Sequence, residues 1–273
     1  VNFKTTVIVV DNPEGTGDKT LRESGLTLMY PCFGQEDRIL KLLEVWDAWS
    51  EDVKQHVDII LIDDHGTPSI EDMLVDREMD YNLSVYRILD DINNNMSGAM
   101  NLGMMAAVTP WLLSMDTDYT FMPDVMQQLL DFKPHRNEVY HFFLERVPHD
   151  ERVSKMQRAH TNTFLLHKDT FTALNGFDED FSCAADAEVQ RYGFHENNFI
   201  HKFQHGGYQL VEQRGYIATE WKDDPPLRGA GNVPTNTRLG KRMCKAKLRD
   251  ELPCSTDMLR FNWKKVMQVR RKP

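Results

Sequence analysis

Val57-Asp-Ile-Ile-Leu-Ile62, running straight into Asp63-Asp64-His65-Gly66, is the stretch that decides the fold. A nearly unbroken apolar, β-branched run of six residues closed by turn formers reads as a strand buried on both faces, and such strands belong to parallel sheets. Working outward, residues 26–30 give a shorter run of the same kind. Ile39, Leu42, Leu43, Trp46 and Trp49 then recur with helical spacing between the two strands. Downstream come a strand at 83–88, a helix at 96–108, a strand at 111–115 and a helix at 123–132. Strand and helix alternate as in an α/β domain, a mostly parallel sheet covered on both faces. Beyond residue 138 the order becomes mixed, with strands at 139–144, 163–167, 208–211 and 216–221 and short helices at 168–174 and 185–192. The Asp-Asp-Pro-Pro and Arg-Gly-Ala-Gly stretch at 222–231 has the composition of a flexible loop over an active site.

Charge divides the chain. Residues 238–273 carry 12 Lys+Arg against 3 Asp+Glu, a net +9, and leave the preceding body at −19. An overall charge of −10 argues against wholesale nucleic-acid binding. The basic, partly apolar tail is expected to dock onto the acidic body, with an anionic membrane surface as the alternative partner. No apolar run approaches the roughly 20 residues of a membrane span. The four cysteines form no C-x-x-C pair, so a reducing, cytoplasmic setting is expected.

In an open α/β sheet ligands sit beyond the carboxyl ends of the strands. Three such ends here read Tyr30-Pro31-Cys32-Phe33-Gly34, Asp63-Asp64 and Asp116-Thr117-Asp118. Carboxylates gathered at one rim repel unless a cation compensates, which points to a divalent metal. On an extended segment Asp116 and Asp118 face the same way and can share one ion. No G-x-x-x-x-G-K-[ST] loop, post-strand G-x-G-x-x-G or G-x-S-x-G elbow is present, so P-loop, dinucleotide and α/β-hydrolase readings lack support.

These motifs, in this order, resemble GT-A-fold glycosyltransferases, and most closely glycosyltransferase family 2. Leu26-Thr-Leu-Met-Tyr-Pro31 is similar to that family's opening strand and Ile59-Ile-Leu-Ile-Asp63-Asp64 to its base-binding strand end. Asn93-Asn94-Asn95 through Ala107 resembles its donor-side helix, and Asp116-Thr117-Asp118 its Asp-x-Asp motif. Asn175-Gly176-Phe177-Asp178-Glu179, with Asp186 ten residues beyond Gly176, resembles its acceptor motif and catalytic base.

The resemblance implies a GT-A catalytic domain over residues 25–237. Residues 25–132 would form the nucleotide-sugar half and 133–237 the acceptor half. An N-terminal extension (1–24) would precede it and the basic extension (238–273) follow it. It further implies a nucleotide-sugar donor, with uridine preferred, a glycan or glycoconjugate acceptor and a Mn²⁺ or Mg²⁺ cofactor. Tyr30, Pro31, Phe33, Asp63, Asp64, Gly98, Asn101 and Asp116 would bind the donor. Asp116 and Asp118 would hold the metal, with Glu220 or His205 as a third ligand. Phe177, Asp178, Glu188, Arg191 and Trp221 would contact the acceptor, and Asp186 would be the general base of an inverting displacement.

Two departures stand out. Ala185 replaces the first of the usual acidic pair at the base, and the Gly expected within Asn93-Asn94-Asn95 is missing. A catalytically inactive GT-A binding module is therefore an alternative. A sugar nucleotidyltransferase is a weaker one, because Pro31-Cys32-Phe33-Gly34 lacks a Gly-rich loop with Arg.

Overall fold

The computed structural model describes residues 8–10, 14–34, 36–92, 95–147, 155–157, 162–182, 194–221, 237–249 and 251–271. In chain order the elements are β1 (Ile8–Val10), α1 (Leu21–Ser24), β2 (Leu26–Cys32), α2 (Glu36–Asp47), α3 (Glu51–His56), β3 (Val57–Asp64), α4 (Ile70–Leu74), β4 (Asn82–Ile88), α5 (Met96–Ala106), β5 (Trp111–Ser114) and β6 (Tyr119–Thr120). There follow α6 (Pro123–Leu129), β7 (Glu138–Val147), β8 (Lys155–Gln157), β9 (Phe164–His167), α7 (Lys168–Ala173), a 3-10 turn (Glu179–Phe181), α8 (His195–His205), β10 (Gln209–Trp221), α9 (Thr237–Lys247) and β11 (Trp263–Val269).

Among the described residues the strands form one sheet in the order β1-β10-β7-β9-β5-β2-β3-β4-β11, with β6 added to β10 and β8 to β7. The central β5-β2-β3-β4 block is parallel, as the apolar runs imply, while β9 and β11 run against their neighbours. This is the mixed, mostly parallel sheet that the resemblance implies.

The period-2 geometry of β3 sorts its side chains between two cores. Ile59 and Leu61 enter the cluster under α2, around Trp46, Tyr30 and Tyr81. Ile60 and Ile62 enter the cluster under α5 and α8, where Phe177 stacks on Phe199 at 4.1 Å between ring centroids. α2 is amphipathic because Ile39, Leu42, Leu43 and Trp46 fall on one face. Truncating fully buried Trp46 to Ala is expected to cost about 3–5 kcal/mol. α5 is buried on most sides, and small residues let it lie close to the sheet. A Cβ on Gly103 would strike the Met29 side chain of β2.

The structure differs from the sequence reading in three places. The two late strands are one, β10, carrying a register irregularity between Gln213 and Ile217 where the Gln213 side chain accepts the Gly215 N–H. Helix α3, capped by Ser50, is too short for its periodicity to stand out. The basic C-terminal segment supplies α9 and the edge strand β11, which pairs antiparallel with β4. The expected helix at 185–192 and loop at 222–231 lie outside the described residues.

Candidate active site

The carboxyl ends of β3 and β5 flank that of β2. In register, Cys32 is level with Asp63, and Met29 with Ser114, two residues before Asp116. Asp64 and Asp116 therefore stand at one rim on strands two positions apart, on the order of 10 Å across by sheet geometry.

Neighbouring Asp63 and Asp64 have different surroundings. Asp63 is saturated: it accepts from the Gly66 N–H at 2.7 Å, the Ile70 N–H at 3.2 Å and Arg87 Nη1 at 2.5 Å. That fixes the turn into α4 and leaves Asp63 as scaffold, not as the donor contact expected of it. Asp64 points to the opposite face and is 5% exposed, and its Oδ1 has no hydrogen-bond partner. Burial pushes its carboxyl up to about 7, against a hydrogen bond from the Asn95 backbone and with a further push from Asp63 and Asp91.

At the β5 end, Asn162 Nδ2 donates to Asp116 Oδ2 at 3.0 Å, and Arg38 Nη1 of α2 lies 3.8 Å from Asp118 Oδ2. Both carboxylates are partly open to solvent. Among the described residues, no group of three or more His, Cys, Asp or Glu forms a metal cage. Two carboxylates still fit a hard cation that takes its remaining ligands from phosphate oxygens and water, the usual arrangement for Mg²⁺.

Other expected residues fall elsewhere. Tyr30 is fully buried, its ring 5.5 Å from that of Trp46 and its pKa raised by burial, and Pro31 is buried within β2, so neither presents a side chain to a ligand. Phe33, just beyond, is partly exposed. Gly98 and Asn101 lie inside the core. Asn101 is a bracket, donating to Phe177 O (3.0 Å) and Glu179 Oε1 (2.8 Å) and accepting from the Phe177 N–H (2.8 Å).

Phe177 and Asp178 are likewise interior, 1% and 0% exposed, and Asp178 is ion-paired with Lys247 at 2.8 Å. Their side chains are therefore enclosed by the protein and not presented at the surface. His205 ends α8, next to the start of β10, whereas Glu220 at the far end of β10 pairs with Tyr119 beside Asp118. The structure thus separates His205 from the rim and keeps the backbone of Glu220 at it. Trp221 pairs with Val147 one residue further on. Asp186, Glu188 and Arg191 lie outside the described residues.

Sequence reasoning missed Arg38, Asn162 and Arg87, which come from separate parts of the chain and carry no local motif, and gave no role to Asn95 within the donor-side stretch it quoted.

The profile of glycosyl transferase family 2 matches residues 27–192, more than half of the chain, and the chain belongs to that family. Its fold is the GT-A fold of the solved structures that follow. An uncharacterized glycosyltransferase from Haemophilus influenzae is 26% identical over 119 residues, 42% of this chain and 38% of that protein.

Solved structures with the same fold include a mannosyltransferase of Pyrobaculum calidifontis in complex with GDP-Man and Mn²⁺. It has a TM-score of 0.56 at 13% identity, over 83% of this chain and 62% of that one. TarS of S. aureus has a TM-score of 0.58 at 11% identity, over 85% and 40%. A Drosophila β-galactosyltransferase 7 mutant in complex with manganese, UDP-Gal and xylobiose has a TM-score of 0.51 at 13% identity, over 80% and 79%. The chain thus spans less than two thirds of the curated relative and of the first two structures. Among the described residues, no helix is long and apolar enough to cross a membrane.

Proposed function

We propose that the chain transfers a sugar from a nucleotide-diphosphate donor, a UDP-sugar, to a glycan hydroxyl with inversion. The observation that carries this reading is Asp64: a nearly buried carboxylate with a spare oxygen, beside a pair of partly open carboxylates two strands away. Asp64, in its ionised form, takes the imide N–H of the base or a ribose hydroxyl proton, since an ionised carboxylate only accepts. Asp116 and Asp118 hold a Mn²⁺ or Mg²⁺ ion that, when bound, offsets the charge developing on the diphosphate. Asn162 and Arg38 orient those two side chains. Glu220 stays a candidate third ligand through its strand position. Asp186 removes the proton of the acceptor hydroxyl, and Glu188, Arg191 and Trp221 line the acceptor side. Support comes from the family and from fold neighbours that carry Mn²⁺ with UDP or UDP-Gal.

Ala185 favours one other reading, a GT-A module that binds without transferring. A panel of nucleotide sugars assayed for hydrolysis with and without Mn²⁺ separates the two. The enzyme reading expects Mn²⁺-dependent release of UDP from a UDP-sugar, and silence across the whole panel would sink it.

A further inference from the structure

Residues 259–262, the lead into β11, pass the end of β4 and the first turn of α5, beside the strand that carries Asp64. Leu259 sits in the left-handed region at φ 58°, unfavourable for a residue with a Cβ. It is held there by Glu179, 3% exposed, which accepts the Leu259 N–H at 2.8 Å and the Arg260 N–H at 3.2 Å. Phe261, 8% exposed, packs on the first turn of α5. A Cβ on Gly98 would collide with both the Phe261 ring and Asn95 Oδ1, so Gly98 is what allows ring and side chain to meet there. Asn262 donates to Asp90, from its backbone at 2.8 Å and its side chain at 3.2 Å, and its carbonyl accepts the Leu89 N–H at 2.8 Å. The four residues thus contact Leu89 and Asp90 before Asn95 and Gly98 after it, and the Asn95 backbone acts on the Asp64 carboxyl, whose Oδ1 is buried without a partner, as is Asn95 Nδ2.

We propose that Leu259–Asn262 are positioning residues for the nucleoside end of the donor site, placing Asn95 and through it the Asp64 carboxylate for the base. This rests on the donor reading above and extends it: the C-terminal segment takes part in the choice of nucleotide. A strained backbone held by a buried carboxylate is expensive to keep. The same four residues also join β4, α5 and the acceptor-side turn, so a shift in any of them would reach Asp64.

The test compares two probes on the full chain by calorimetry, each with Mn²⁺: UDP, which needs both ends of the site, and inorganic pyrophosphate, which needs only the metal end. Asn262→Ala, at an exposed position and losing its side-chain hydrogen bond to Asp90, and the milder core change Phe261→Leu, which loosens the packing against Gly98, should each weaken UDP about 5- to 10-fold and leave pyrophosphate unchanged. Unchanged UDP affinity, or equal losses for both probes, would overturn the inference. If Asp64→Ala also leaves UDP affinity intact, the donor reading itself is wrong. If Asp64→Ala weakens UDP while Asn262→Ala and Phe261→Leu do not, only the positioning role is lost.

Discussion

The carboxylates at the ends of β3 and β5 and those of the turn at residues 178–180 are equally crowded in sequence, yet they meet different neighbours. In the turn, Lys247 reaches Asp178 and Asp180 at 2.8 Å each, and Arg260 reaches Asp180 at 3.0 Å. Burial alone would lower the Lys247 amine, but its hydrogen bonds to both carboxylates outweigh that and hold it above its usual value. Asp180 ends below its usual value, because those same partners overcome its burial. Asp64 faces two more acids and one backbone N–H, and rises. The turn's acids are matched by the protein's own cations and form a structural joint, whereas Asp64 is a buried carboxyl without a cation beside it among the described residues, the kind of group that marks a candidate site.

The largest effect expected from disturbing this contrast is chemical. Asp186→Asn should lower transfer by on the order of 10²- to 10⁴-fold with donor affinity preserved, as removal of a general base does. Steady-state rates beside a UDP titration check it, and near-normal transfer would take Asp186 out of the mechanism.

Next comes the joint. Lys247→Met leaves Asp178 buried without its cation and should cost about 3–5 kcal/mol in denaturant unfolding. Lys247→Arg should recover part of that loss, and a cost below about 1 kcal/mol would mean the joint is not structural.

The smallest effect has the opposite sign. Because Asp64 binds its proton more tightly folded than unfolded, its ionisation subtracts stability as the pH rises from about 4 to about 7. Asp64→Asn should therefore be more stable than the wild type at pH 8, by at most about 4 kcal/mol, with the gap closing by pH 4. Equal stability at both pH values would show that Asp64 is not held under strain.

The parallel centre of the sheet was legible because β2, β3 and β5 are apolar on both faces, a pattern that few other settings produce. The strand-end acids were legible as a group, since their chemistry and the position of the rim are both local. Their division of labour was not: nothing in Asp63-Asp64 says that Arg87, 24 residues on, saturates the first and leaves the second. Likewise Phe177 and Asp178 read as acceptor contacts because the motif is local, while Asn101 and Lys247, which hold them inside, are 76 and 69 residues away in sequence. The tail's apolar residues suggested docking, but its place as the sheet's edge depends on β4, which no stretch within the tail announces.

The central claim is that the acid rim of β3 and β5 takes a cation-linked nucleoside diphosphate. Calorimetric titration of UDP into the full chain, with and without Mn²⁺, tests it in one measurement when run beside Asp118→Ala. Binding that needs Mn²⁺ and disappears in Asp118→Ala is the predicted result. UDP affinity indifferent to both the metal and the substitution would contradict it.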